Sequence, residues 1–561
     1  MKRYFQIPWQ LLLGSACFFL SSVSTLWAQN LTGRITAEGK GVSGVAVSDG
    51  FEVVLTDEEG RYALQSNKKN GYVFFSLPRG YEPEYRQGFL PAVWASLQSE
   101  DVLVNEEHHF SLVKQSHPDR YVMILGADTH LADRSDDLEQ FCDFTDALRR
   151  EVDRAKGRKV YSMLLGDLSW DNYWQRNHFG LPEFLRTCAA QRYAVPLWPV
   201  MGNHDHDPSV PSSATTDYQS AAQWRRWMGP NYYSYNIGRV HYVVLDDIVY
   251  KNEDTGTKYS AGVVGARNYD GAITDEQLAW LEKDLACVTD KSTPVVVALH
   301  IPIWRLNVNT LEVKGGMKRQ GSERLCHLLR DFKDVHIVSG HTHINYTAHP
   351  EAYSNVTEHN IAAVCAVWWN TAPLTGLHNT KDGVPGGYSR WEVDGKKLRW
   401  TYCSQTPAGE SQMRIYDMNT VAKRYREDTV LRKMLKKYPQ RQDYSTSLPN
   451  EIRVNVFAYD VDWKVEILEN GRQLKVERVA GEDPFHVLAY DRAAMERQGK
   501  IGEGSSTGKT AHLFRAVAQT ADRPVTVRVT DSFGRKYVRS IRRPHAYDLE
   551  MEQREVEGRI R

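Results

Sequence analysis

The sequence predicts a central α/β domain that lies between a small N-terminal β-sandwich and a mainly β C-terminal domain. From residue 120 onward, apolar runs of strand length alternate with amphipathic stretches of helical period. The regions before and after this part instead show short alternating strands between Gly and Asp turns. A chain of 561 residues is too long for one hydrophobic core. We therefore expect domains at residues 29–115, 116–377 and 378–561.

The first 28 residues have the pattern of a secretory signal peptide. Lys2 and Arg3 form a basic start, residues 11–20 form a short apolar run, and cleavage after Ala28 is expected. Cys17 offers a lipid anchor as the alternative, but the apolar run continues past it, which favours a removed signal. The mature protein is therefore predicted to be secreted or periplasmic, without an integral membrane span.

Charge and cysteine content exclude several classes of function. Lys+Arg and Asp+Glu both number 70, and this balance gives no support for a nucleic-acid partner or for a polybasic membrane surface. Six cysteines remain after residue 28, and none of them forms a C-x-x-C pair. Such sparse cysteines do not indicate a disulfide framework, and we expect most of them to be small buried apolar residues.

The N-terminal region, residues 30–115, contains short candidate strand segments at 31–35, 41–47 and 56–64. A T-D-x-x-G-x-Y turn begins at Thr56. This turn resembles the transthyretin-like, carboxypeptidase-regulatory family of β-sandwiches. Contact with carbohydrate or another surface and a purely structural spacer both remain open as roles for this domain.

In the central region, polar residues follow closely after apolar candidate strands. The strands are predicted at residues 121–125, 160–165, 194–200, 295–299 and 335–338. The polar residues that follow them are Asp128, His130, Asp167, Asn203, His300, His341 and His343. Open α/β sheets gather their functional sites at the carboxyl ends of the strands, so we expect these side chains to meet at one edge.

Amphipathic helices are predicted between the strands. Leu138, Phe141, Leu148 and Val152 recur at helical spacing and indicate a helix with one apolar face. The T-x-x-Q pattern from Thr274 predicts a capping box at the start of a second helix.

In order along the chain, the polar motifs are D-x-H, G-D, G-N-H-D, a single His and G-H-x-H. This ordered set resembles the signature of calcineurin-like metallophosphoesterases at every element. The resemblance implies a four-layer fold in which a two-sheet β-sandwich is flanked by helices. The D-G-x-P-x-G-Y stretch at residues 382–388 resembles the C-terminal domain that is often joined to bacterial secreted members.

The resemblance also implies a role for each motif residue. Asp128, His130 and His343 would hold one divalent metal ion, while Asn203, His300 and His341 would hold a second. Asp167 would bridge the two ions, and His204 would assist the leaving group with Asp205 orienting it. Mixed imidazole and oxygen ligands suit Mn, Fe, Zn or Ni. Trp170 stands where purple acid phosphatases carry a tyrosine, so no ferric tyrosinate is expected.

The function implied is hydrolysis of a small organic phosphoester by a metal-bridging hydroxide. Sugar, nucleotide and lipid phosphates are all compatible with the motifs. A phosphodiester in place of a phosphomonoester is the first alternative. An inactive binding protein on the same fold is the second, and the intact motif set disfavours it. Four indoles lie near the motifs: Trp170, Trp304, Trp368 and Trp369. For each of them, lining the substrate cleft and packing in the core or between domains both remain open.

One further segment is similar to a functional motif but lacks one of its required residues. Residues 505–510, S-S-T-G-K-T, are similar to part of a phosphate-binding loop, but Glu503 occupies the position of a required glycine. We interpret this segment as a polar loop without nucleotide binding. Around it, late strands are predicted at residues 398–403, 413–416, 452–458, 463–468, 525–529 and 535–541.

Overall fold

The computed structural model describes residues 29–254, 256, 262–315, 319–370, 378–406, 411–502 and 504–551, with residues 319 and 320 described by their backbone alone. The predicted signal peptide, residues 1–28, lies outside this described part. None of the helices within the described ranges is long and apolar enough to cross a membrane.

The N-terminal domain consists mainly of two β-sheets. The first has the order Lys40–Gly41, Leu31–Ala37, Glu106–Lys114, Tyr81–Pro83, with Arg61–Leu64 also paired to Leu31–Ala37. The second has the order Trp94–Ser96, Tyr72–Phe75, Ala46–Ser48, Val53–Leu55. Leu31–Ala37 alternates buried and half-buried residues along its length, as expected for a strand with one face in a core.

The T-D-x-x-G-x-Y segment forms a tight turn whose polar groups satisfy one another. Asp57 Oδ1 accepts the backbone N–H groups of Glu59 and Arg61 at 3.0 and 2.7 Å. Gly60 has a φ of 76°, a left-handed conformation that glycine adopts without steric cost. The Tyr62 hydroxyl then donates to the His108 carbonyl at 2.7 Å, which ties the strand after the turn to Glu106–Lys114.

Two larger sheets form the central domain. Central sheet I has the order Leu197–Val200, Lys159–Leu165, Arg120–Gly126, Gly387–Asp394, Lys397–Ser404. Central sheet II has the order Tyr233–Ile237, Val240–Val244, Val295–Ala298, Val335–Ser339, Val356–Asn360, Tyr346–Ala348. All five predicted central strands are present, although the third begins only at Leu197.

The two central sheets share an aromatic core. The ring of Trp198 from sheet I stacks on Tyr235 from sheet II, with centroids 3.7 Å apart and planes 9° from parallel. Tyr235 in turn stacks on Tyr242 at 4.9 Å. The hydroxyls of Tyr242 and Tyr121 hydrogen-bond each other at 2.8 Å, so these buried polar tips of the core have partners. The sheets therefore pack face to face as one sandwich.

Helices cover the outer faces and complete four layers. Cys142–Arg154 and Leu181–Ala190 bury Phe144, Leu148 and Phe184 in an apolar cluster with sheet I. Asp275–Ala286 and Arg319–Leu329 bury Leu278, Leu281, Leu325 and Leu329 against sheet II. Shorter helices span Asp137–Gln140, Thr216–Ser220 and Ala222–Trp227.

Two details of the helix predictions are wrong. Val152 is 41% exposed and lies outside the apolar face of its helix. The capping box at Thr274 is only half formed: Thr274 Oγ1 accepts the Gln277 backbone N–H at 3.4 Å. The Gln277 amide instead bonds the backbone of Asp246, accepting from its N–H at 3.0 Å and donating to its carbonyl at 2.8 Å. The contacts of the Gln277 side chain with the Asp246 backbone therefore replace the second hydrogen bond of the predicted capping box.

The C-terminal domain contains two further sheets and a helical layer. One sheet has the order Met413–Asp417, Glu451–Val456, Lys509–Val517, Glu477–Glu482, and the other Arg472–Gln473, Lys464–Glu469, Val525–Thr530, Lys536–Ile541. The main helices are Met418–Glu427, Thr429–Lys437 and Ala493–Gln498. The strands Glu477–Glu482 and Lys509–Val517 were not predicted from the sequence. The second of them contains the last two residues of the segment 505–510 that was predicted to be a polar loop.

Central sheet I contains strands that lie beyond the predicted domain boundary at residue 377. Gly387–Asp394 pairs antiparallel with Arg120–Gly126 over six residues, and Lys397–Ser404 pairs with it in turn. Sheet I thus takes two of its strands from beyond that boundary. The N-terminal domain is also joined to the centre, since Tyr232 Oη donates to the Gly50 carbonyl at 2.8 Å and Phe74 packs on Trp280.

Candidate metal centre

The seven ligand candidates all follow parallel strands of the central sheets. Asp128 and His130 follow Arg120–Gly126, Asp167 follows Lys159–Leu165, and Asn203 follows Leu197–Val200. His300 follows Val295–Ala298, while His341 and His343 follow Val335–Ser339. Because the sheets pack face to face, the carboxyl ends of these strands bring all seven side chains into one region.

The backbone turns sharply at most of these positions. Five of the seven residues have a left-handed φ: Asp128 54°, His130 42°, Asp167 52°, His341 66° and His343 56°. Each non-glycine residue in this region costs about 1–2 kcal/mol. Such strain persists where the surrounding structure determines it, and its concentration at one sheet edge marks a functional site.

One group of side chains converges around His130. Its Nε2 atom lies 3.0 Å from His343 Nε2 and 3.5 Å from Asp167 Oδ2. Asp128 Oδ1 lies 3.8 Å from His130 Nε2 and 3.6 Å from His343 Nε2. These four side chains are buried, and their spacing is that of ligand atoms around a single ion.

A second group converges around His300. Its Nε2 atom lies 3.1 Å from Asn203 Oδ1, 3.2 Å from His341 Nδ1 and 3.2 Å from Asp167 Oδ2. Asp167 Oδ2 therefore belongs to both groups. A carboxylate oxygen in this position can bridge two ions.

The donor chemistry fits metal ions at both positions. His300 Nδ1 and His343 Nδ1 each donate to a backbone carbonyl at 2.8 Å, those of Leu165 and Ala366. Their Nε2 atoms therefore face other acceptor atoms, and these atoms repel one another unless a proton or a metal cation lies between them. Such second partners fix the ring of a metal-binding histidine. The mixed nitrogen and oxygen set suits Mn, Fe, Zn or Ni.

The electrostatics of the site also favour added positive charge. Burial raises the pKa of Asp167, but the neighbouring charges of His300 and His204 hold it well below its usual range, so the carboxylate is ionised. Burial lowers the pKa of His300, yet Asp167 outweighs this and raises it to about 10, so this imidazole holds a proton that a metal ion would displace. Burial lowers the pKa of His341 to about 3, which leaves this imidazole neutral as a ligand must be.

His204 lies beside the two groups, but its partner differs from the predicted one. His204 Nδ1 lies 2.6 Å from Asp171 Oδ1, and Asp171 is buried. Burial lowers the pKa of His204, but the charges of Asp171 and Asp167 outweigh burial and raise it to about 9. The imidazole is half-buried, and its ring centre lies 5.2 Å from that of His130. His204 can therefore present a proton at the edge of the site.

The expectation that Asp205 orients His204 is wrong. Asp205 Oδ2 accepts the backbone N–H groups of Leu168 and Gly202 at 3.2 and 3.0 Å, and Oδ1 accepts that of Ser169 at 3.1 Å. The short 3-10 turn Asn203–Asp205 points this carboxylate inward, away from its neighbour in sequence. Asp205 thus fixes the loop after Asp167 against the G-N-H-D loop.

The motif glycines leave space for residues of the neighbouring motifs. A Cβ atom on Gly202 would lie 2.2 Å from Asp167 N and 2.3 Å from Asp167 Oδ1. A Cβ atom on Gly166 would lie 2.4 Å from His300 Nδ1. The glycines of G-D and G-N-H-D are therefore needed for close packing of the loops that carry the ligand candidates.

This packing predicts the effect of Gly202→Ala. The added methyl group would displace Asp167, so we expect bound metal to fall and the free energy of unfolding to drop by about 1–3 kcal/mol. Elemental analysis and thermal unfolding would measure both changes. Gly315→Ala is a suitable control, because a Cβ atom there would meet no atom of the described residues within 4 Å. A Gly202→Ala protein with full metal content and an unchanged Tm would contradict the packing argument.

Only two of the four indoles near the motifs lie at the site. Trp170 packs edge-on against His130 at 5.4 Å, and Trp368 packs against His343 at 4.8 Å. Trp304 is only 8% exposed and packs on Tyr353, and Trp369 is 1% exposed with Nε1 donating to the Thr129 carbonyl at 2.9 Å. Of the two alternatives left open by the sequence, Trp304 and Trp369 therefore follow core packing and do not line the cleft.

Several residues near the site were not found from the sequence. Asp171 holds His204. It lies four positions after Asp167 in the same loop, and this closeness to a motif residue is the feature of the sequence that could have identified it. Asp247 accepts the backbone N–H groups of His300 and Ile301 at 3.1 and 2.8 Å, and so fixes the loop after that strand. Its distance in sequence from every motif left no signal for it.

Comparison with known proteins gives three adjoining family matches. The model described as the N terminal of calcineurin-like phosphoesterase matches residues 29–115, calcineurin-like phosphoesterase matches 124–345, and the C terminal of calcineurin-like phosphoesterase matches 358–537. The catalytic match contains all seven ligand candidates and His204. Together the three matches account for most of the chain.

Individual relatives are more distant. Purple acid phosphatase 22 of Arabidopsis thaliana is 28% identical over 210 residues, 34% of this chain and 40% of that protein. The chain therefore spans about 40% of the length of this curated relative.

Two solved structures are also similar. A dimetal phosphatase from Danio rerio is 16% identical, with a TM-score of 0.31 over 50% of this chain and 98% of that one. GAP50, the anchor in the inner membrane complex of Plasmodium, is 12% identical, with a TM-score of 0.31 over 52% and 86%. On the three adjoining family matches and the motif set that they enclose, the chain belongs to the calcineurin-like phosphoesterase family.

Proposed function

We propose that this protein is a metal-dependent hydrolase of organic phosphoesters. The observation that carries the proposal is the position of Asp167 Oδ2, 3.5 Å from His130 Nε2 and 3.2 Å from His300 Nε2. One buried carboxylate oxygen thus belongs to two separate sets of nitrogen and oxygen donors. Family membership supports the same assignment.

The residues would divide between two ions. Asp128, His130 and His343 would hold the first, and Asn203, His300 and His341 the second, with Asp167 shared. When bound, two such ions clamp phosphate oxygens and make a nucleophile available near neutral pH. The chain itself fixes the donors before substrate arrives, through the carbonyls of Leu165 and Ala366 and the carboxylate of Asp247.

His204 would protonate the leaving group. Asp171 holds the Nδ1 atom of its ring, so Nε2 is the atom free to carry a proton to the departing oxygen. The Nδ1 contact at 2.6 Å fixes the tautomer and the ring orientation. Because His204 is not among the donors assigned to either ion, its role can be separated from metal binding.

The leaving group would lie beside Trp170 and Trp368. Trp170 is 6.2 Å from His204 between ring centres, and the two indoles face each other at 6.0 Å with planes 24° apart. A half-buried aromatic wall on the side of the proton donor suits an organic leaving group of some size.

The proposed site of action is outside the cytoplasm, a hypothesis that rests on the sequence of residues 1–28.

Metal removal tests the proposal directly. Dialysis against a chelator is expected to abolish hydrolysis of 4-nitrophenyl phosphate, and addition of Mn, Zn or Ni is expected to restore it. The same assay on bis(4-nitrophenyl) phosphate and on sugar, nucleotide and lipid phosphates would rank monoesters against diesters. Hydrolysis that persisted at full rate in metal-free protein, or no hydrolysis of any ester with any of the metals, would refute the function.

A further inference from the structure

Lys381 is a half-buried cation beside the proposed site. Its Nζ atom lies 4.8 Å from the ring centre of Trp368 and, among the described residues, has no hydrogen-bond or ion-pair partner. Burial lowers the pKa of Lys381. An ammonium group that is partly removed from water without a direct ion pair destabilises the protein unless something else compensates for it. The Asp128 carboxylate compensates only in part, because its charge raises the pKa of Lys381 by less than burial lowers that pKa.

A second cation lies on the other indole. The Arg134 guanidinium carbon lies 4.8 Å from the ring centre of Trp170, and its Nη2 donates to the Trp368 carbonyl at 2.8 Å. Arg134 forms no ion pair within the described ranges. Burial raises the pKa of the nearby Asp137, and the charge of Arg134 acts against that rise. The wall of two indoles therefore carries one cation at each ring, and this wall lies next to His204, where the leaving group departs.

The C-terminal domain supplies the support behind Lys381. The Gly508 N–H donates to the Lys381 carbonyl at 2.8 Å, and a Cβ atom on Gly504 would lie 3.3 Å from Trp368 Cη2. The same loop is anchored within its own domain: Thr507 Oγ1 bonds His486 Nδ1 at 2.7 Å, and the Thr507 carbonyl accepts from Arg441 at 2.9 Å. The segment that is similar in sequence to a phosphate-binding loop thus packs against Lys381 and Trp368 and supports their positions at the edge of the site.

We propose that Lys381 and Arg134, together with the indoles of Trp170 and Trp368, form a subsite for an anionic substituent on the leaving group. The substrate class would be a phosphoester whose leaving group combines a planar or apolar ring with a second negative charge. The ring would pack on the indoles while the charge neutralises the cations. This inference rests on the proposed phosphoesterase function and narrows its substrate.

Two matched esters test the subsite. 3-Carboxyphenyl phosphate and 3-carbamoylphenyl phosphate have almost the same size, but only the first carries the second charge. We expect the wild-type protein to favour the carboxylated ester in kcat/KM, and Lys381→Met to reduce that preference by about tenfold, because a charge-assisted hydrogen bond is lost. The effect should appear mainly in KM, with metal content retained.

Lys397→Met is the matched control, since Lys397 is exposed and lies in the hairpin at the opposite end of Arg120–Gly126. It should keep the wild-type preference. The subsite is refuted if wild type hydrolyses the two esters equally well, or if Lys381→Met slows both by the same factor, which would assign Lys381 to the transferred phosphoryl group. Activity on 4-nitrophenyl phosphate reports the proposed function separately, because that ester has no second anion.

Discussion

Replacing Asp167 with asparagine is expected to abolish phosphoester hydrolysis and to lower bound metal at the same time. Asp167 Oδ2 is the only donor atom shared by both groups, and Oδ1 accepts the His204 backbone N–H at 2.8 Å. A neutral amide removes the charge that would hold two cations together. We expect kcat/KM to fall by about 10³-fold or more, which corresponds to several kcal/mol of transition-state stabilisation.

Elemental analysis and steady-state kinetics on the same preparation would measure both consequences. Asp153→Asn is a suitable control, because Asp153 is an exposed residue of the helix Cys142–Arg154. It should retain metal and turnover. If Asp167→Asn instead held two metals per chain and turned over at nearly the wild-type rate, the bridging assignment would be wrong.

His204→Ala should separate chemistry from metal binding. The substitution removes the proposed proton donor but none of the seven ligand candidates. We expect metal content close to wild type and a kcat lower by about 10²–10⁴-fold. The loss should shrink for 4-nitrophenyl phosphate relative to an alkyl phosphate, because an acidic leaving group needs little protonation. An equal loss on both esters would argue against the proton-donor role.

Separate substitutions of Asp171 and Asp205 would show which of these two carboxylates supports the function of His204. Asp171→Asn should lower kcat in the same leaving-group-dependent manner as His204→Ala, though by a smaller factor, because the imidazole remains. Asp205→Asn should chiefly lower the Tm, since Asp205 holds three backbone N–H groups of the site loops. If Asp205→Asn reproduced the leaving-group dependence and Asp171→Asn did not, the sequence-based assignment would be restored.

The sequence by itself determined the family, the central α/β architecture and the seven residues that converge at the sheet edge. The physical reason is that these signals are local. A strand shows as a short apolar run, and a residue such as Asp167 or His300 that closely follows such a run must lie at the strand's carboxyl end. Parallel strands then bring those ends together without further information. The glycines at 166 and 202 belong to the same local signal, because each leaves room for an adjacent loop.

Only the tertiary structure shows which side chains from separate parts of the sequence contact one another. Asp205 is next to His204 in sequence, yet the turn Asn203–Asp205 points it toward backbone N–H groups, and Asp171 from another loop holds the imidazole. Trp304 and Trp368 both follow apolar stretches of the sequence, and only the packing of the folded chain puts Trp304 in the core and Trp368 at the site. Residues 504–508 reach Trp368 across more than a hundred positions of chain. Such contacts depend on how separate elements pack, and no local pattern of residue types encodes that packing.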